Sequence, residues 1–148
     1  MRIFTIVVLL GACPALAAGP EEEKGAVAAV QKLFDGMAAK DGAVIRASML
    51  PETRLYAVRE NGAATSASVD DFVKRITGID GAVLERFTER PKVLIHGRVA
   101  QVWGEYDFLR GGKFDHCGVD TVSVFQTAEG WKIATIAYTS ETAGCKGH

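Results

Sequence analysis

The sequence predicts an α+β domain, and two patterns predict it. Apolar residues recur at helical spacing through much of the first half. The second half is a run of alternating segments separated by glycine-containing turns, which reads as consecutive strands. Helices first and long strands after place the helices against one antiparallel sheet.

The N-terminal segment is set aside before the fold is read. Arg2 is a positive charge, Ile3 to Leu10 an unbroken apolar run, and Ala15-Leu16-Ala17 a pair of small residues at the spacing a signal peptidase reads. Residues 1–17 are therefore expected to be a signal peptide, with Ala18 as the alternative last residue, and residues 18–148 the mature domain. A membrane anchor is the competing reading. The run is shorter than the ~20 residues a bilayer needs, and Gly11 and Pro14 interrupt it. Leu10-Gly11-Ala12-Cys13 also resembles a lipoprotein box, which would make Cys13 a lipidated first residue; the segment before it is short for that. The expected location is the periplasm or the exterior.

Removing 17 of the 148 residues leaves 131, enough for one domain with a hydrophobic core. Without Arg2, 16 basic residues stand against 18 acidic ones. With no basic run, nucleic acid is an unexpected partner, and no second apolar stretch reaches membrane length after signal cleavage. The mature chain keeps two cysteines, Cys117 and Cys145, and an even number in an oxidising compartment reads as a disulfide. Closing that loop contributes roughly 3–4 kcal/mol in the chain-entropy model. A metal site using Cys117 with His116 or His96 is disfavoured, because no CxxC or HxxxH spacing accompanies them. No cofactor is implied.

The elements follow in order. Val27, Val30, Phe34 and Met37 form one face of a helix over residues 21–40, broken at Asp41-Gly42. Residues 43–50 read as a short second helix, ended by Pro51. Residues 54–60 alternate toward a strand, Asn61-Gly62 is a hairpin turn because both residues tolerate positive φ, and residues 63–67 are a weaker strand. Ser68 with Asp71 resembles a capping box for a third helix carrying Val69, Phe72, Val73 and Ile76, which ends at Gly78. Residues 85–96 are extended, with Pro91 marking a bulge or an edge. Residues 99–110, 114–126 and 131–139 complete the run of strands.

Helix, helix, hairpin, helix and then long strands resembles the nuclear transport factor 2-like superfamily, a cone-shaped half-barrel. The segments Val102-Trp103-Gly104-Glu105-Tyr106-Asp107-Phe108, His116-Cys117-Gly118-Val119-Asp120, Gly130-Trp131-Lys132-Ile133 and Ala137-Tyr138-Thr139 carry the likeness. They look most like the secreted group labelled lumazine-binding, beside the polyketide cyclase-like and ketosteroid isomerase-like groups. The resemblance implies three N-terminal helices packed in a curved antiparallel sheet. It also implies a homodimer formed through the outer sheet face.

Strand alternation supplies the inner face. Pairing Gln126 with Trp131 sets Val124 against Ile133, Val122 against Thr135, Asp120 against Ala137 and Gly118 against Thr139. Lys132 belongs in solvent, so Ile133, Thr135 and Ala137 point in, and Ile136 and Tyr138 point out with Phe125. A three-residue Gly-Gly-Lys turn then sets Phe108 against His116 and Tyr106 against Gly118; a two-residue turn would flip that strand. The inner face is thus apolar with Tyr106, His116, Asp120 and Thr135 as its polar groups, the make-up of a small-ligand pocket. Gly104, Gly118, Thr135 and Ala137 are small enough to leave space.

Two functional readings follow. The first is a non-catalytic binding module for a small apolar or aromatic molecule, held by Tyr106, His116, Asp120 and Thr135. The second is an acid–base enzyme of isomerase, cyclase or dehydratase type on a small cyclic substrate. Asp120 would be its base and Tyr106 or His116 its polariser. The first is preferred because the first helix presents no tyrosine, and the last strand has Thr135 and Ala137 where many relatives carry histidines.

Overall fold

The computed structural model describes residues 19–146; the signal-peptide segment lies outside the described residues. Helix α1 (Pro20–Ala38) starts with Pro20 and three glutamates in its first turn, where carboxylates suit the positive end of the helix dipole. Its buried stripe runs through Ala26, Val30, Leu33, Phe34 and Met37, and Val27 lies at the margin. Asp41 caps α2 (Gly42–Ala47), accepting hydrogen bonds from the Ala43 and Val44 amides at 2.9 and 3.1 Å. Ser68 caps α3 (Val69–Thr77), accepting from the Asp71 amide and donating to its carboxylate at 2.6 Å.

Seven strands form one sheet: β1 (Met49–Arg59), β2 (Ala64–Ser68), β3 (Val83–Phe87), β4 (Lys92–His96), β5 (Val99–Arg110), β6 (Lys113–Thr127) and β7 (Gly130–Ser140). The order is β2-β1-β7-β6-β5-β3, and β4 pairs with the first half of β5 while β3 pairs with the second. The expected continuous extended segment over residues 85–96 is thus two strands, separated at residues 88–91. The sheet is mixed rather than wholly antiparallel, because β1 and β7 run parallel. Thr53 fastens that junction by donating to the Ile133 carbonyl at 2.7 Å. α1 packs inside the curve against β3, β4 and β7, and α3 packs on β1. Cys117 and Cys145 are joined by a disulfide, which ties the segment after β7 back to β6. No helix among the described residues is long and apolar enough to cross a membrane.

Two irregularities decide which side chains face the helices. On β6, Asp115 is an extra residue: Leu109 pairs with Phe114 and Phe108 with His116. The turn has only two residues, Gly111 and Gly112, both at positive φ. The bulge restores the parity that the short turn would have reversed. Tyr106 therefore still stands opposite Gly118, and Gly104 opposite Asp120. On β7, Ala134 is the extra residue. Val124 pairs with Ile133, but Ser123 pairs with Thr135 and Asp120 with Tyr138. Beyond that bulge every side chain changes face. Ile136 and Tyr138 point into the cone, and Thr135 and Ala137 point out, the reverse of the simple alternation.

Candidate functional site

Inside the curve, between α1, α3 and the inner face of the sheet, lies a cavity of about 380 Å³. Its apolar wall is built by Phe34 and Met37 from α1, Phe72 and Ile76 from α3, and Phe108 and Ile136 from the sheet. Its polar groups come from six elements, β1, α3, β3, β5, β6 and β7, so only the folded chain brings them together.

Asp120 projects into this cavity and is 3% exposed. Beside it is Glu85, which reaches the inner face because β3 alternates Val83, Glu85, Phe87 toward the helices and pairs Glu85 with Phe108. The two carboxyl groups are hydrogen-bonded to each other, which requires a proton between them. Burial pushes Asp120 up to about 7, against the opposing effect of the hydrogen bond it receives from Glu85. Glu85 is raised well above its ordinary value, first by burial, then by the charge of Asp120 and the shared hydrogen bond; the Arg75 guanidinium works the other way. Glu85 keeps partial exposure, which is exposure to the cavity it lines. The pair titrates as a unit.

Tyr106 is buried, and its hydroxyl donates to the Thr139 carbonyl at 2.8 Å. Burial, reinforced by Glu85 and Asp120, holds that proton on. Tyr106 thus lines the cavity with its donor already used. Gly118 makes this contact feasible, because a Cβ there would sit 2.2 Å from the Thr139 carbonyl oxygen. Gly104 is likewise filled from elsewhere, since its Cβ would meet the Phe87 ring at 2.6 Å. The space expected at the two glycines is occupied by packing, and the cavity lies beyond them.

His116 stands at the rim, stacked on Phe108 with ring centroids 4.8 Å apart. Its Nδ1 is 2.8 Å from an Asp115 carboxylate oxygen, and Asp115 also faces Arg110 at 3.5 Å. Asp115 joins the rim through the β6 bulge. Thr135 does not line the cavity: the β7 bulge turns it outward, and Ile136 and Tyr138 stand in its place. The Tyr138 hydroxyl accepts from Arg75 at 3.3 Å, and Arg75 in turn lies over the Phe72 ring. Among the described residues no group of three or more His, Cys, Asp or Glu side chains is arranged to hold a metal.

Sequence reasoning missed Glu85, Arg75, Tyr138 and Asp115. Glu85 had a readable signal, an acid sharing alternation with Val83 and Phe87. Tyr138 and Asp115 had none, because each depends on a bulge that no glycine or proline marks.

No protein-family model matches the chain, and no curated protein matches it. Solved structures do. An NTF2-like protein of unknown function from Shewanella baltica is 12% identical with a TM-score of 0.66, over 86% of this chain and 99% of that one. One from Silicibacter pomeroyi, also of unknown function, is 16% identical with a TM-score of 0.64, over 84% and 100%. A third, from Streptomyces avermitilis, is described as a "putative dehydratase" of the same family; it is 16% identical with a TM-score of 0.61, over 84% and 100%. At such identities the likeness is one of architecture, and with helices packed in a curved, unclosed mixed sheet this chain has the nuclear transport factor 2-like fold.

Proposed function

We propose that the chain is an exported domain that holds a small, largely apolar molecule in its cone. The observation that carries this reading is the cavity of about 380 Å³, in which apolar side chains from α1, α3 and the sheet meet convergent polar groups. That volume lies within the ~300–1,000 Å³ usual for ligand sites. Export is supported by the leader-like residues 1–17 and by the Cys117–Cys145 disulfide, which suits an oxidising compartment. The His116-Cys117-Gly118 segment with its distant cysteine partner supports placement with the secreted group labelled lumazine-binding; that label names a group, not a ligand. The exposed outer-face residues Val99, Trp103 and Phe125 support a homodimer. A thermal-shift screen of the oxidised protein from Ala18 onward tests the pocket. A binder at 100 times its Kd should add about 2.7 kcal/mol of stability. A library of small apolar and aromatic compounds that shifts nothing would count against it.

One observation favours a second reading, acid–base catalysis. The Glu85–Asp120 pair sits in the cavity with Asp120 poised at about 7, near the optimum for proton transfer at neutral pH. Asp120 would take a proton and Glu85 would return one. With the Tyr106 proton engaged on Thr139, Tyr138 is the hydroxyl left to polarise a substrate oxygen. Asp120→Asn, which keeps the shape, should abolish proton exchange at a ligand carbon yet weaken binding only by about 1–2 kcal/mol. Exchange that persists in the variant excludes Asp120 as the base.

A further inference from the structure

We propose that the molecule held in the cone is an amphipathic monoanion, with an apolar body against the helices and a carboxylate-like head at the arginine-lined mouth. This rests on the pocket reading above and adds the charge class of its ligand. Three arginines from three elements converge on one cavity: Arg59 from β1, Arg75 from α3 and Arg110 from β5. The chain as a whole has more acidic than basic residues, so the cluster does not reflect a generally basic surface.

The local charges do not cancel. Asp115 faces Arg110 at 3.5 Å and offsets it. Glu85 and Asp120 hydrogen-bond to each other, and Arg75 offsets their negative charge from the α3 side. Arg59 remains. Its side chain has no ion pair or hydrogen bond among the described residues, and its register partner on β7 is Ser140, which also lines the cavity. A guanidinium beside a hydroxyl is a forked donor set suited to a carboxylate. Below it the wall turns apolar with Leu55 and Ile136, as a monoanion with an apolar body requires. A cation in the same position would face an unneutralised arginine, and a dianion would bring a second charge toward the carboxyl pair. At about 30 Å³ per water-sized group, the cavity accepts roughly a dozen non-hydrogen atoms, the size of a one- or two-ring carboxylic acid.

The test uses matched probes on the oxidised protein: benzoate, hexanoate and 2-naphthoate, each with its primary amide and its aminomethyl counterpart, by calorimetry at low and physiological salt. At least one carboxylate should bind tenfold or more tightly than its amide, and more tightly still than its amine, with the preference shrinking as salt rises. Arg59→Gln should bring the carboxylate-to-amide ratio toward one, and the ratio is insensitive to any general loss of folded protein. If amides or amines bind as well as carboxylates, the pocket stands and the anion assignment falls. If Arg59→Gln leaves the ratio unchanged, the assignment of the head to that lip is wrong. If none of the nine compounds binds, both the assignment and the pocket reading are overturned.

Discussion

Asp120 is the residue whose position has the clearest thermodynamic consequence. Its pKa rises on folding from 3.8 to about 7. Between those values the unfolded chain releases a proton that the native chain keeps. Stability should therefore fall as pH rises through that window, on the order of 1.4 kcal/mol per pH unit. Glu85, also raised, adds to the decline above its ordinary value. Urea unfolding between pH 4 and 8 should show this slope. Asp120→Asn should make it shallower, and the double variant with Glu85→Gln should remove it. An unchanged slope in the double variant would mean the pair is not buried as described. Gly118 makes a second prediction. Adding a methyl 2.2 Å from the Thr139 carbonyl must push β7 away and break the Tyr106 hydrogen bond. Gly118→Ala should cost about 1–3 kcal/mol in overpacking.

Among the elements, the two bulges separate what the sequence could tell from what it could not. The capping box and the turns were legible because their chemistry is local: Ser68 with Asp71, the break at Asp41-Gly42 after α1, Asn61-Gly62 between β1 and β2. The β5–β6 register was also recovered, but through two compensating features. A three-residue turn and a two-residue turn plus the Asp115 bulge have the same parity. The Ala134 bulge had no such compensation, so the face of Thr135, Ile136, Ala137 and Tyr138 was inverted. Alanine carries no mark of a bulge, and β1 shifts register against β7 between Met49 and Arg54. Parity can be tested directly. Deleting Ala134 should turn Ile136 outward and destabilise by at least about 2 kcal/mol, the burial of one such side chain. Ala134→Gly keeps the residue count and should cost under about 1 kcal/mol. Equal effects would show that the bulge does not set the face.

For the whole molecule, the disulfide closes a loop between residues 28 apart and so stabilises by about 3–4 kcal/mol in the entropy model. Cys145→Ser should lower the denaturant midpoint accordingly. It should also loosen the rim, because Thr142, which lines the cavity, lies inside that loop and is otherwise held by Glu60 at 2.7 Å. The proposed dimer belongs to this scale too. Light scattering should give twice the monomer mass, and Trp103→Lys on the outer face should halve it. A monomer at high concentration leaves Val99, Trp103 and Phe125 as uncovered surface.

The parallel junction of β1 and β7 also governs when this chain can fold. β7 is made after the other six strands yet lies between β1 and β6, and its contact with Thr53 spans 80 residues of sequence. Until β7 is complete, the β1–β2 hairpin and the β3–β6 block have no shared edge along which to join. A growing chain therefore holds two unfinished half-sheets with open edges rather than a partly built cone. Contacts of that separation also favour slow acquisition of the native state. If the chain is exported as proposed, such a delay would keep it threadable until its last strand has emerged.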